Sequence, residues 1–210
     1  MPKNCDATPI KMELKQYLNL IAQDILRLTE AIDHEGECHL SEFEKIGDSY
    51  KKAESLAASF YLQCYLSAFT MNYEALSITI QDLMNRRHGA LIVIQRNDSL
   101  EELIHSGIPI GATVTFSLLE AIFYPGNPLH DGAILIHNDI IVSAANVLPL
   151  SSQAVVDQKL GTRHRAALGL TERSDAVVLV VSEETGRASF AYKGKLHPVS
   201  GLEALDEIEI

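Results

Sequence analysis

The sequence has 210 residues, with 28 acidic side chains against 17 Lys and Arg, a formal charge of −11. Hydrophobic residues make up 47%, enough for a sizeable core and too many for a disordered chain. The acidic balance disfavours a general binder of DNA, RNA or anionic lipid, so a phosphate ligand would need a local basic site.

No apolar run approaches the roughly 18 residues that span a bilayer. The longest, Ala176 to Val181, has the length of a buried strand. The N-terminus, Met1 to Asp6, is followed by no apolar core of a signal peptide, so a cytoplasmic location without a membrane partner is expected. Cys5, Cys38 and Cys64 are an odd, scattered set, as expected of free thiols in a reducing compartment.

Leu14, Leu18, Ile21, Ile25, Leu28 and Ile32 recur at intervals of 4, 3, 4, 3 and 4, which predicts one apolar stripe on a first helix. Asp33 to Glu37 interrupts it. Phe43, Ile46, Tyr50, Ala53, Ala57 and Phe60 then predict a second helix, and the two form an αα-hairpin. Neither helix hides its stripe in a two-helix unit, so the hairpin is expected to pack on the remaining chain or on another subunit. A structural or oligomerising appendage is the plain reading and a regulatory cap the sharper one. A third helix is expected from about Asn72 to Arg86, with Arg86, Arg87 and His88 at its cation-favouring end.

After Gly89, Ala90 to Ile94 reads as a buried strand. Ile110 to Thr115 is a second strand and Ser117 to Phe123 a short helix. Ala133–His137 and Ile140–Ala144 flank Asn138-Asp139, which predicts a β-hairpin. Ser151 to Lys159 is expected to be a short helix, and Arg163 to Gly169 another with Thr162 at its N-cap. Asp175–Val181 and Arg187–Tyr192 are strands joined by Ser182 to Gly186, and a last short strand follows Lys193-Gly194. The predicted fold class is α/β: a mixed sheet flanked by helices, preceded by a helical hairpin. The expected division is residues 1–68 for the hairpin, 69–200 for the α/β domain and 201–210 for an acidic tail.

Three segments carry possible chemistry. In Pro128-Leu129-His130-Asp131-Gly132-Ala133, a His-Asp pair stands at the mouth of a strand, and Gly132 lacks the side chain that would block a ligand. Such a carboxylate binds a divalent metal or polarises a hydroxyl, although an Asp-Gly turn is the plainer reading of the pattern. Gly161-Thr162-Arg163-His164-Arg165 is the densest basic cluster and lies at a helix start, where backbone N–H groups favour an anion. Arg163 and Arg165 point apart on a helix and could grip different parts of one triphosphate; a solvated charged turn explains the cluster equally well. Ser182-Glu183-Glu184-Thr185-Gly186 offers a hydroxyl and two carboxylates, or simply an acidic turn. Together they suggest nucleotide phosphate chemistry with a divalent metal. The chain contains neither a P-loop nor a Gly-x-Gly-x-x-Gly motif. His34, Cys38 and His39 lack a fourth zinc ligand.

In this order, Leu129 to Ala133, Leu148-Pro149-Leu150-Ser151, Gly161 to Ala167 and Ser182 to Gly186 resemble the motifs of the diadenylate cyclase (DAC) domain, over about Ala75 to Val199. The helical hairpin without apolar spans resembles the soluble sporulation-type (CdaS-like) members. The resemblance implies condensation of two ATP into cyclic di-AMP with release of two pyrophosphates. It implies Asp131 acting with Mg²⁺, Mn²⁺ or Co²⁺ on the ribose 3′-OH, with His130 and Glu184 as further metal contacts and Glu183 the alternative to Glu184. Gly132 would let the sugar approach, Ala133 would contact ATP, Leu148 would line the adenine pocket, and Thr162, Arg163, His164, Arg165 and Ser182 would hold phosphates. Val147 stands where some relatives have an aromatic residue. The implied partner is a second copy, face to face about a two-fold axis, within a homo-oligomer expected to be as large as a hexamer and restrained by the hairpin. The rival expectations are a non-catalytic nucleotide sensor and a structural sporulation protein with a vestigial pocket.

Overall fold

The computed structural model describes residues 8–32, 38–67, 69–70, 72–152 and 160–199. The predicted Ser151–Lys159 helix and the acidic tail fall largely or wholly outside these residues, as does the link between the first two helices.

Three helices open the chain: α1 (Thr8–Ala31), α2 (Leu40–Leu66) and α3 (Tyr73–Arg86). There follow β1 (Ala90–Ile94), β2 (Ile108–Thr113), α4 (Phe116–Phe123) and a 3₁₀ turn at Pro128–His130. The remaining elements are β3 (Ala133–His137), β4 (Ile140–Asn146), α5 (Thr162–Thr171), β5 (Val177–Val181), β6 (Ala188–Tyr192) and β7 (Lys195–Val199).

The seven strands form one sheet in the order β2-β4-β3-β1-β5-β6-β7. Only β1 and β3 pair in parallel; the other neighbours are antiparallel, which makes the sheet mixed as expected. β1 and β5 lie in the middle, and every residue of both is buried. Ala90, Ile92 and Ile94 face one cluster, built with α2, α3 and α4. Leu91 and Val93 face the other, built with α5. Two covered faces explain why these strands read as unbroken apolar runs rather than as alternation. The edge strands β2 and β7 carry Pro109 and Pro198, which deny a donor to a further strand.

The β3–β4 link has Asn138 at φ 48° and Asp139 at φ 64°, the paired left-handed conformation of a tight hairpin turn. Asp139 also anchors what precedes it. Its carboxylate accepts from Thr70 Oγ1 at 2.6 Å, and its carbonyl from the Val114 amide at 2.9 Å.

The helical hairpin covers only part of its stripes. Ile21 and Leu28 of α1 are buried, while Leu18, Ile25 and Ile32 stay about half exposed, as do Phe43 and Tyr50 of α2. α2 has a second apolar face that the spacing did not single out. Ala58, Leu62 and Leu66 enter the same core as α3 and the sheet. The hairpin and the α/β unit therefore share a core across residue 68.

One expectation fails. Cys64 is disulfide-bonded rather than a free thiol, whereas Cys38 is free and exposed. Cys64 is fully buried beside Ile10 and Phe60, so α1 folds back on the last turns of α2. Scattered spacing gives no sign of such an approach.

Candidate active site at one end of the sheet

The register decides what meets. In the parallel β1–β3 pair, Ile92 is opposite Ile134. Both strands start at the same end of the sheet, so Gly89, just before β1, and Asp131, two residues before β3, lie at that end. In the antiparallel β1–β5 pair, Ala90 is opposite Val181, which places Gly89 beside Ser182 on the other side. Asp131, Gly89 and Ser182 therefore stand in a row at one end of three adjacent strands. Loops at strand ends of α/β sheets are where ligands bind.

The first helical residues of α5 reach the same row. Arg163 Nη1 donates to Glu183 Oε2 at 2.9 Å. A side chain at Gly89 would lie 2.6 Å from that Arg163 nitrogen. The basic cluster and the Ser182–Gly186 turn are thus joined directly above Gly89, next to the strand that Asp131 opens.

Local chemistry fixes each part. Asn127 caps the 3₁₀ turn, its side chain accepting from the Leu129 amide at 3.0 Å. Its carbonyl accepts from His130 Nδ1 at 2.5 Å. A carbonyl only accepts, so Nδ1 carries the proton and a neutral ring keeps its lone pair on Nε2. The Asp131 carboxylate makes no hydrogen bond or ion pair among the described residues. Gly132 has φ +122°, and a Cβ there would meet the Asn146 carbonyl at 2.7 Å. The fold itself demands this glycine, independently of any ligand.

α5 starts one residue earlier than predicted. Gly161, not Thr162, is the N-cap, with extended backbone and no side-chain cap bond. Thr162 is the first helical residue, because Gly161 supplies the extended conformation that the cap needs. Arg165 is exposed, and its carbonyl accepts from the Ser151 amide at 2.9 Å. Leu148 is buried with Ala133, Ala166 and Ala167, so the 148–151 segment packs α5 against the start of β3. Gly169 lets that segment pass, since a Cβ would meet the Pro149 carbonyl at 2.2 Å.

The Ser182 carbonyl accepts from the Gly186 amide at 2.8 Å, and its hydroxyl from the Thr185 amide at 3.3 Å. This turn packs on the end of α3, where a Cβ on Gly186 would meet the Met84 carbonyl at 2.8 Å. Burial holds the His164 imidazole below its ordinary value, with Glu184 pulling it partly back up. His164 is therefore neutral near pH 7. Among the described residues no three His, Cys, Asp or Glu side chains form a ready-made metal cage.

Sequence reasoning passed over Gly89, Asn146 and Tyr124. Tyr124 is exposed and meets His88 edge-to-face, with ring centres 6.2 Å apart. Val147, next to the buried Leu148, is 59% exposed. A cavity of about 350 Å³ opens elsewhere, between the hairpin and β6–β7, lined by Leu18, Tyr50, Tyr65 and His197. It touches none of the strand-end residues, so the candidate site is an open edge and not that cavity.

Family models match both parts of the chain. The nucleotide-binding model of the DisA bacterial checkpoint controller matches residues 77–196, and that of the N-terminal region of diadenylate cyclase CdaS matches residues 1–69. The chain belongs to the diadenylate cyclase family, with the CdaS-type N-terminal region. A diadenylate cyclase CdaS from Bacillus thuringiensis is 51% identical over 91% of this chain and 95% of its own length. The cyclic di-AMP synthase CdaS of Bacillus subtilis is 46% identical over 90% of this chain and 91% of its own. A crystal structure from Bacillus cereus, described as a hypothetical membrane spanning protein, is 50% identical with a TM-score of 0.78, covering 92% of this chain and 95% of that one. No helix among the described residues is long and apolar enough to cross a membrane. DacA from Staphylococcus aureus matches with a TM-score of 0.60 and 41% identity over 65% of this chain and 91% of its own.

Proposed function

We propose that this protein condenses two ATP molecules into cyclic di-AMP and releases two pyrophosphates. The observation that carries this reading is the row of Asp131, Gly89 and Ser182 across β3, β1 and β5, with Arg163 reaching over it from α5. A carboxylate and a cationic grip at one sheet end suit a nucleotide whose ribose lies near β3 and whose phosphates lie near α5.

Arg163 and Arg165, with the free N–H groups of the first turn of α5, hold the triphosphate and stabilise charge on the departing pyrophosphate. Ser182 retains its hydroxyl proton for a phosphate oxygen. Thr162 and neutral His164 line the same end. Ala133 and Leu148 floor the site on the α5 side. This work is positioning and electrostatics, which dominate phosphoryl and nucleotidyl transfer.

A divalent cation, Mg²⁺, Mn²⁺ or Co²⁺, fits the donor set. The unpartnered Asp131 carboxylate and the Nε2 lone pair of His130 would hold the ion, and hard cations readily take the rest of their shell from phosphates and water. Glu184 is proposed as a further contact from the β5–β6 turn. Such an ion supplies Lewis acidity that makes the 3′-OH a better nucleophile.

Each 3′-OH attacks the α-phosphate of the other ATP, so two copies must meet face to face about a two-fold axis, and a monomer is inactive. With ATP as substrate, the protein works in the cytoplasm as a homo-oligomer without nucleic acid or membrane.

The test is incubation with ATP and Mn²⁺ followed by mass detection of a cyclic dinucleotide. Asp131→Asn abolishes turnover and leaves ATP binding largely intact, and Arg163→Ala weakens ATP binding itself. Binding of ATP without pyrophosphate release would indicate a sensor. Normal assembly without ATP affinity would indicate a structural protein.

A further inference from the structure

We propose that Asn146 is a positioning residue for the Asp131–Gly132 turn. The inference rests on the role given to Asp131 above.

Asn146 ends β4 and is only 3% exposed. Its Nδ2 donates to the Ala133 carbonyl at 2.8 Å, two residues beyond Asp131. Its Oδ1 accepts from Ser143 Oγ at 2.9 Å, which fixes the orientation of the amide. The β3–β4 register shifts between Ala133 and Leu135, so the regular ladder is interrupted where the start of β3 needs support. The Asn146 side chain supplies a bond there.

Three neighbours are shaped to fit this residue. Ala145 has φ +53°, an uncommon conformation for a residue with a Cβ. The Asn146 carbonyl abuts Gly132, where a Cβ would come within 2.7 Å. Its Oδ1 fills the space beside Gly107, where a Cβ would come within 1.9 Å. A surface asparagine that merely closes a turn needs neither a strained neighbour nor two glycines against it. Asn146 clasps the chain between the 105–107 segment and the start of β3, and so sets the position from which Asp131 projects. Arg163 lies two strands away on another element, and the Asn146 side chain bonds Ser143 and Ala133 rather than the Arg163–Glu183 pair.

Asn146→Asp is nearly isosteric, but its ionised carboxylate cannot donate to the Ala133 carbonyl. With Mn²⁺ and ATP, kcat is expected to fall about 10–100-fold while KM for ATP changes less than about threefold. The buried carboxyl titrates above the ordinary range. Its protonated form donates again, so the kcat deficit of Asn146→Asp narrows on acidification, while that of Asn146→Ala stays constant relative to the unsubstituted protein. A role in folding alone would leave kcat per folded site unchanged. If neither variant folds, Ser143→Ala frees the amide with little structural cost, and a kcat loss of about threefold at unchanged KM is expected. Folded Asn146→Ala, or Ser143→Ala in its place, with unchanged kcat would overturn the inference. If Asp131→Asn kept full turnover as well, the reading of Asp131 would have failed instead.

Discussion

Arg163, in the first turn of α5, is paired with Glu183 of the β5–β6 turn directly over Gly89, the residue that precedes β1. Arg163 is one-quarter exposed and Glu183 more than half exposed, so the pair sits at the rim of the sheet end. The carboxylate holds the guanidinium in place before any phosphate arrives. It also adds negative charge where a triphosphate would bind.

That charge sets the sign of the first prediction. Exposed ion pairs contribute about 0.2–1 kcal/mol, so breaking this one costs little. Glu183→Gln keeps an acceptor for Arg163 and removes repulsion of the triphosphate. ATP affinity is expected to rise about two- to fivefold, read by titration calorimetry with a non-hydrolysable ATP analogue. Weaker binding would show that pre-aligning Arg163 matters more than the charge.

The second prediction concerns Gly89. A Cβ there would lie 2.6 Å from Arg163 Nη1, 2.8 Å from its Cζ and 2.9 Å from Glu183 Oε2. All three atoms end flexible side chains, so the backbone need not move. Gly89→Ala should change Tm by less than about 3 °C. By pushing the ion pair off the row, it should lower kcat/KM about tenfold or more. A variant with full activity would mean that Arg163 does not work from this position.

Much of this arrangement was legible in the chain. The uninterrupted apolar runs at Ala90–Ile94 and Ala176–Val181 announced buried strands, and Asn138-Asp139 announced its hairpin. The three motif segments were also visible. Their meeting was not, because it depends on β1 pairing in parallel with β3 and antiparallel with β5, which no local pattern encodes. Gly89 and Asn146 looked like loop residues: a glycine shows what it makes room for only when the neighbour is in place. The second face of α2 escaped because its apolar residues lie on two sides of one helix, and periodicity reports the stronger stripe.

The third prediction is a pH dependence far from the site. Burial alone would raise the pKa of Asp175. The Asn97 side chain, at 2.7 Å, and the Asp98 and Asn97 amides outweigh burial, so the carboxyl lies below its ordinary value. A lowered pKa means the carboxylate stabilises the fold above the unfolded-state value and loses that contribution as pH falls through the folded one. Asp175→Asn should lower Tm by roughly 2–4 °C at pH 7. The gap from the unsubstituted protein should close below about pH 4, followed by thermal melts across pH. A gap that does not narrow at all as the pH falls would assign the loss to packing.

The last prediction separates the hairpin from the sheet. Removing everything before Asn72 would take away Ala58, Leu62 and Leu66, which lie in the core shared with α3 and the strands. Leu62 is completely buried. Leu62→Ala is therefore expected to cost about 2–5 kcal/mol, even though the residue lies in the hairpin. α1 packs chiefly on α2, and much of its stripe remains exposed. A chain starting at Leu40 should keep a single cooperative unfolding transition. The sequence led to the expectation that the hairpin as a whole restrains turnover; if it does so through α1, that shorter chain makes more cyclic dinucleotide per site. Equal or lower turnover with the fold intact would show that α1 serves assembly and not restraint.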